Sequence, residues 1–455
     1  LAFDLDAPLA EYGFSTRLAY ENAWPIRFTQ GAILEYKKFM FLAATSESMV
    51  SPSEIVDIVW HQHLIFTQSY EQFGQVLGKK IAHIPSTHNK AEREKFKQAT
   101  EQTSSLYEAY WGQQPALYWH FNSLPEALAI PKAKDSVRIL TGFGVLAFSL
   151  LVLPAYYLLE PLYIQINNPY FLIGYALLIS VTFICLKRFN RMREDGMLEQ
   201  LQDHPVISQL TAQELIYIKS GKTEEVVHGF VNRLLEEEVL AVSPDNTLVI
   251  QTQKDSIDAM EHTILETIKD AGSTSYPDLL AQVKAKPVFT QVAESTNVIL
   301  RALQQSKPAS QLFFINCVVV LLVFLTGFIR LLTGIERGKP IVFILILLVL
   351  LLFLFIGFLR RVLGYFQSGL LLSLYEEKII PASSDATVYH QWDWQYLLLG
   401  TALLSSSFIP LLPHPGTGYR SPDDYGNSSS CSSGSSCSGG GSSCGSSCGG
   451  CGGGD

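Results

Sequence analysis

Charge is scarce in this chain: 16% of its 455 residues are Asp, Glu, Lys or Arg, against roughly 25% in an ordinary soluble protein. A basic surplus is also missing. The net charge is −9, and without a basic stripe to meet phosphates no nucleic-acid partner is expected. No signal peptide is visible, because the opening LAFDLDAPLAEYGFSTRL is polar and acidic. Leu1 stands where a methionine would begin a complete chain, which implies a missing start or prior processing. Cysteine is nearly absent before residue 431, with only Cys185 and Cys317. Residues 431–455, in turn, lack any side chain large enough to build a core.

Hydrophobic residues make up 48% of the chain and arrive in long blocks. Five stretches matter: Ile139–Leu159, Pro169–Leu186, Leu312–Ile329, Ile341–Leu359 and Trp394–Leu412. Crossing a hydrocarbon core takes about 20 apolar residues. The fourth stretch, IVFILILLVLLLFLFIGFL, has no polar side chain, and the first three hold no ionised residue. Soluble helices of this length rarely lack a polar face. The fifth carries three serines and Pro410 and is the weakest, yet it is also expected to span.

Lysine and arginine near span ends set orientation. Lys132, Lys134 and Arg138 precede the first span, Lys187, Arg188, Arg191 and Arg193 follow the second, and the connection EPLYIQINN has none. Residues 1–131 and 187–311 are therefore expected in the cytoplasm. The second pair is tied, with Arg330, Arg337 and Lys339 in its connection and Lys307, Arg360 and Arg361 at its other ends. Five spans would deliver the tail outside the cytoplasm. No ionisable residue sits at mid-depth to serve an ion path. Arg330 is expected to snorkel to the interface, and Gly327 and Gly334 to let helices approach closely.

Residues 1–131 read as a helical module. Ser51-Pro52-Ser53-Glu54 has the spacing of a capping box with proline at the first helical position. In the following IVDIVWHQHLIFTQSYEQF, Val56, Val59, Trp60 and His63 recur at helical spacing as one buried face. His61 and His63, two apart, point to opposite sides, whereas Asp57 and His61, four apart, share one. The loop IAHIPSTH adds His83 and His88. A metal or catalytic cluster of Asp57, His61, His63 and His83 is one reading. The other is a set of polar groups pinning that loop to the helix, because no cysteine or second carboxylate completes a ligand set.

FSTRLAYENAW, AILEYKKFMFLAATS, VDIVWHQHLIFTQSY and IAHIPS resemble the N-terminal module of bacterial glycine-rich domain-containing proteins. That family carries an Asp-x-x-Trp-His-x-His motif and a later His-x-Pro, matched here by Asp57, Trp60, His61, His63, His83 and Pro85. A cysteine often follows the motif in the family; here the region reads YEQFGQVLG, so a thiol-dependent role is not expected. The resemblance brings no established reaction.

Between 194 and 310 there are 18 acidic residues against 9 lysines and arginines. Thr211-Ala212-Gln213-Glu214 is a second capping-box pattern, and LTAQELIYIKSGK a short helix closed by Gly221. TEEVVHGFVNRLLEEEV is a helix with Val226, Phe230, Leu234 and Leu235 on one side, and LAVSPDNTLVIQT a hairpin. Helix, helix and hairpin predict a winged-helix-like unit, completed by helices near 256–270, 277–285 and 288–305. Its acidity opposes DNA binding and favours a protein-contact role.

NNPYFLIGYALL, LTAQELIYIKSG, VVHGFVNRLLEEEVL and LLTGIERGKPIVFILILL, in this order, resemble an uncharacterised family of bacterial multi-pass membrane proteins, sometimes called the near-uncomplex family. Members end in Gly-, Ser- or Cys-rich tails, as residues 416–455 do here. The resemblance covers residues 165–455 and implies a membrane location without a known activity. Cys431, Cys437, Cys444, Cys448 and Cys451 lie on a flexible coil. Outside the cytoplasm they would form disulfides or stand ready for modification. A heterocyclised-peptide precursor and a merely solubilising tail are the alternatives.

The sequence thus predicts a mainly α, polytopic helical membrane protein of the bacterial inner membrane. It has a soluble helical N-terminal module (1–131), spans at 139–186, 312–359 and 394–412, a winged-helix-like cytoplasmic region (187–311) and a disordered tail. It is expected to act as a non-enzymatic scaffold with membrane lipid and protein partners and no cofactor. A metal-dependent enzyme is the rival.

Overall fold

In the computed structural model, residues 1–83, 90–133, 137–254, 258–382, 391–406 and 408–412 are described. The architecture is mainly helical, and it follows from where the apolar residues are exposed. Among the described residues, four helices are long and apolar enough to cross a membrane. They are α8 (Val137–Gln165), α9 (Asn168–Leu201), α15 (Lys307–Glu336) and α16 (Val342–Ala382). Leu158 is 77% and Phe353 69% exposed, a cost in water that disappears when such faces meet lipid. α15 packs against α8, α9 and α16. Gly327 sets one close approach, where a Cβ would run into the Tyr175 ring and come within 2.9 Å of Leu348 Cδ2. Asn316 Nδ2 donates to Asn190 Oδ1 at 3.0 Å and joins α15 to α9.

At 1.5 Å per residue α9 is about 51 Å long, well beyond a hydrocarbon core of about 30 Å. Its C-terminal end, with buried Leu198, enters a body formed by the remaining helices, as do the start of α15 and the end of α16. Two wider turns, Tyr365–Gly369 and Tyr375–Ile379, interrupt the α16 ladder. At the second, the Tyr375 hydroxyl reaches the carbonyls of Ile207 and Leu210.

The two polar regions share one hydrophobic core. The first supplies α1 (Phe14–Asn22), α2 (Ile26–Thr45), α3 (Glu54–Ile65), α4 (Thr67–Leu77), α5 (Lys90–Trp111), α6 (Ala116–Trp119) and α7 (Leu124–Ala127). The second supplies α10 (Ala212–Ser220), α11 (Thr223–Glu236), α12 (Ala259–Ala271), α13 (Tyr276–Val283) and α14 (Pro287–Gln304). Between these helices lies a small antiparallel sheet of β1 (Leu240–Val242), β2 (Thr247–Ile250) and β3 (Thr274–Ser275), in that order. The hairpin register pairs Leu240 with Ile250 and Val242 with Leu248. Asn246 takes the left-handed conformation (φ 60°) that its turn requires.

Thr211 and Glu214 form the expected capping box on α10, and Gly221 closes that helix at φ 69°. The second oxygen of Glu214 accepts from the Ile26 amide at 2.9 Å, so one carboxylate caps α10 and starts α2. At α3 the N-cap is Ser53, not Ser51. Its hydroxyl accepts from the Val56 amide and donates to the Tyr118 carbonyl at 2.6 Å, leaving Pro52 outside the helix.

One further expectation is corrected. Trp394–Leu412 does not form a spanning helix. Its helical part, α17 (Trp392–Leu399), is about 12 Å long and stops at Gly400, where φ is 59°. Trp394, Tyr396, Leu397, Phe408 and Leu411 are buried in the soluble core. Lys219 Nζ donates to the Leu397 carbonyl at 2.7 Å, and the Ser405 amide to Asn232 Oδ1 at 2.8 Å. Apolar residues that read as a span in the sequence here cover α10 and α11, and Ser405 finds a partner that lipid would deny it. Arg330 packs against the connection between α8 and α9. It is 8% exposed and turns inward to the carbonyls of Tyr163 and Ile166 and to Asn168 Oδ1.

Candidate functional site

The Asp57–His61 pair is built by α3. Four residues apart, the two side chains lie on its outer face, with His61 Nδ1 3.1 Å from Asp57 Oδ2 and 3.0 Å from the Asp57 carbonyl. His83 comes from the segment beyond α4, and three contacts hold that segment in place. Gly78 ends α4 in the left-handed conformation. Lys79 Nζ donates to the carbonyls of Ala43, Ala44 and Ser46 at the end of α2. Trp60 Nε1 donates to the Tyr70 hydroxyl (3.0 Å), which donates to the Ile81 carbonyl (2.7 Å). His83 then lies edge-on to the Trp60 ring, with centroids 4.5 Å apart, and its Nε2 is 3.0 Å from Asp57 Oδ1. The His61 and His83 rings are 4.4 Å apart.

Asp57, His61 and His83 thus offer three ligand atoms within 4.8 Å of one another. The side chain of Asp57 is 29% exposed, that of His61 57% and that of His83 14%, so the cluster opens to solvent on the His61 side. Two imidazoles and one carboxylate form a donor set suited to a divalent transition metal.

His63 does not belong to this cluster. It is fully buried on the opposite face of α3, with Nδ1 2.8 Å from the Tyr36 hydroxyl and Nε2 3.2 Å from Ser69 Oγ. Burial, with a smaller contribution from Lys37, lowers its pKa to about 4. His88 and Pro85 lie outside the described residues, as do Cys431, Cys437, Cys444, Cys448 and Cys451.

Two buried polar centres escaped the sequence reading. Glu35, 3% exposed, takes hydrogen bonds from Lys38, the Tyr107 hydroxyl and Trp119 Nε1 at 2.7–2.8 Å, tying α2 to α5 and α6. Its signal was a lone carboxylate inside the apolar run AILEYKKFMF. Arg233 on α11 reaches Asp393 at 3.1 Å and Glu261 at 3.4 Å and fastens α17 to the body. No local signal announces a contact across 160 residues. No family model, no curated protein and no solved structure matches this chain.

Proposed function

We propose that this chain is an integral membrane protein of the bacterial envelope whose soluble body holds one divalent transition-metal ion at Asp57, His61 and His83. The observation that carries this reading is the convergence of three ligand atoms from a rigid helix and a pinned segment within 4.8 Å. Three protein ligands with an open position suit an exchangeable or reactive ion better than a closed structural one. The body is otherwise a scaffold. The order α10, α11, β1–β2 supports a winged-helix-like unit, and its acidic surface favours protein over nucleic-acid partners. Lys187, Arg188, Arg191 and Arg193 after α9, with Arg360 and Arg361 on α16, support a cytoplasmic body. With four spans instead of five, the tail leaves on the body's side. A reducing compartment would keep its cysteines as thiols, which disfavours a disulfide role.

A second reading is favoured by the Asp57–His83 hydrogen bond, which by itself pins Ile81–His83 onto α3. Metal analysis of the full chain, purified in detergent and equilibrated with Zn²⁺ or Co²⁺, separates the two. The metal reading expects one ion per chain, a cobalt visible spectrum of low coordination number, and loss of both in His61→Ala. Absence of bound metal, with His83→Ala merely lowering the melting temperature, would reject it in favour of the pin.

A further inference from the structure

At the end of the helices away from the soluble body lies a cavity of about 370 Å³ between the start of α9, the end of α15 and the start of α16. The charged groups in its lining are all cationic, Arg330, Arg337 and Lys339, beside the neutral Asn168 and Thr333. Its apolar walls include Phe171, Ile341 and Phe343. Phe343 is also 66% exposed on the outer face of α16, so one wall of the cavity continues onto the surface that faces acyl chains.

The charge on this cavity is uncompensated. Arg330 is more than nine-tenths buried and, among the described residues, is met only by neutral oxygens, those of Tyr163, Ile166 and Asn168. The Phe171 ring face lies 4.8 Å from its guanidinium carbon. Arg337 and Lys339 make no ion pair among the described residues. The neighbouring Glu336 is engaged by the Tyr156 hydroxyl on α8. Arg330, buried with no carboxylate beside it, pays a desolvation cost that an incoming anion would relieve, and the exposed Arg337 and Lys339 add to the positive field at the cavity mouth. The same three residues produce the lysine and arginine tie across the second helix pair. Orientation does not call for them on this side, whereas a ligand would.

We propose that this cavity binds the phosphate of an anionic phospholipid. The phosphate lies against Arg337 and Lys339, with Arg330 behind them, and the acyl chains pass Phe343 into the bilayer. The volume falls within the range of sites that bury small ligands, and Arg and Lys beside an apolar wall match the chemistry of a phosphate carried on acyl chains. Phosphate chemistry alone does not distinguish a lipid from a free anion; the apolar wall running onto α16 favours the lipid.

The test uses the full chain in non-ionic detergent. Binding of phosphatidylglycerol, phosphatidylcholine and inorganic phosphate is measured by native mass spectrometry and by the shift in melting temperature. The double variant Arg337→Gln/Lys339→Gln is run alongside. Both side chains are exposed, so the variant keeps the Arg330 contacts that close the α8–α9 turn. Phosphatidylglycerol should bind and stabilise in preference to phosphatidylcholine, and its affinity should fall about thirtyfold in the variant, one screened charge contact being lost per substitution. Equal binding of the two lipids, or an unchanged affinity in the variant, would overturn the proposal. Stabilisation by inorganic phosphate as large as that by the lipid would overturn the lipid assignment in favour of a soluble anion.

Discussion

Acidification should loosen the soluble body through one residue. A neutral His63 ring accepts from the Tyr36 hydroxyl at Nδ1 and donates from Nε2 to Ser69 Oγ, which satisfies both contacts. A second proton would set an N–H against the Tyr36 hydroxyl inside a core lined by Phe14 and Phe73. The folded pKa is lowered to about 4 from the ordinary 6.5, so the unfolded chain takes up the proton first. The stabilisation is complete above pH 6.5 and is lost as pH falls toward 4. A gap of about 2.5 pKa units corresponds to about 3 kcal/mol at the limit, of which about 2.5 kcal/mol is gone by pH 4.5. The assay is thermal denaturation of the full chain in detergent, followed by near-ultraviolet circular dichroism at pH 7 and 4.5, beside His63→Asn. The variant keeps a hydrogen-bonding group near Nδ1 but cannot titrate. It should be less stable at pH 7 and should lose about 2.5 kcal/mol less than the wild type between the two pH values. Carboxylates titrate in both proteins and cancel. An equal acid loss in wild type and variant would refute the assignment of a neutral, buried imidazole.

Gly327→Leu should force α15 away from Tyr175 and Leu348, at a cost of about 3 kcal/mol. Size-exclusion profiles and melting in detergent would register it, and wild-type behaviour would mean the helices do not meet there. Arg233→Met should leave Asp393 and Glu261 without their shared cation, an expected loss of about 2 kcal/mol after allowing for partial exposure. Amide exchange across α17 should rise while that of α3 stays unchanged. Slow exchange in α17 would argue against its docking through Arg233.

The parts of the fold legible in the sequence are those in which local signals and tertiary packing agree. The Thr211–Glu214 capping box, the Gly221 stop and the β1–β2 hairpin are each specified within a few residues, and the four long spans by composition alone. The separation of His61 from His63 likewise follows from helical geometry, because two residues turn a side chain to the other face. What could not be read depends on distant partners. Residues 392–412 look like a weak span because their apolar side chains serve a soluble core, and only the contacts with Arg233, Lys219 and Asn232 show it. The same hidden cover explains why α11 is buried beyond the single face its Val226, Phe230 and Leu234 spacing implies. The two polar regions read as separate domains because Glu214 sits in a local capping motif while its second oxygen serves α2. The grouping of Asp57 with His83 was legible as a candidate, whereas the contacts that hold it, from Lys79 and Tyr70 to the segment after α4, were not.

The number of crossings decides the most, because it sets the side on which the tail emerges. In spheroplasts of cells expressing the Lys339→Cys variant, a membrane-impermeant maleimide would be applied with reductant present, and labelled peptides identified by mass spectrometry. Four crossings place residue 339 and the tail on opposite sides: the thiol introduced at position 339 should label in intact spheroplasts, and Cys431 to Cys451 only after lysis. Labelling of position 339 and the tail from the same side would mean that 392–412 crosses the bilayer after all, and the four-helix account would fail.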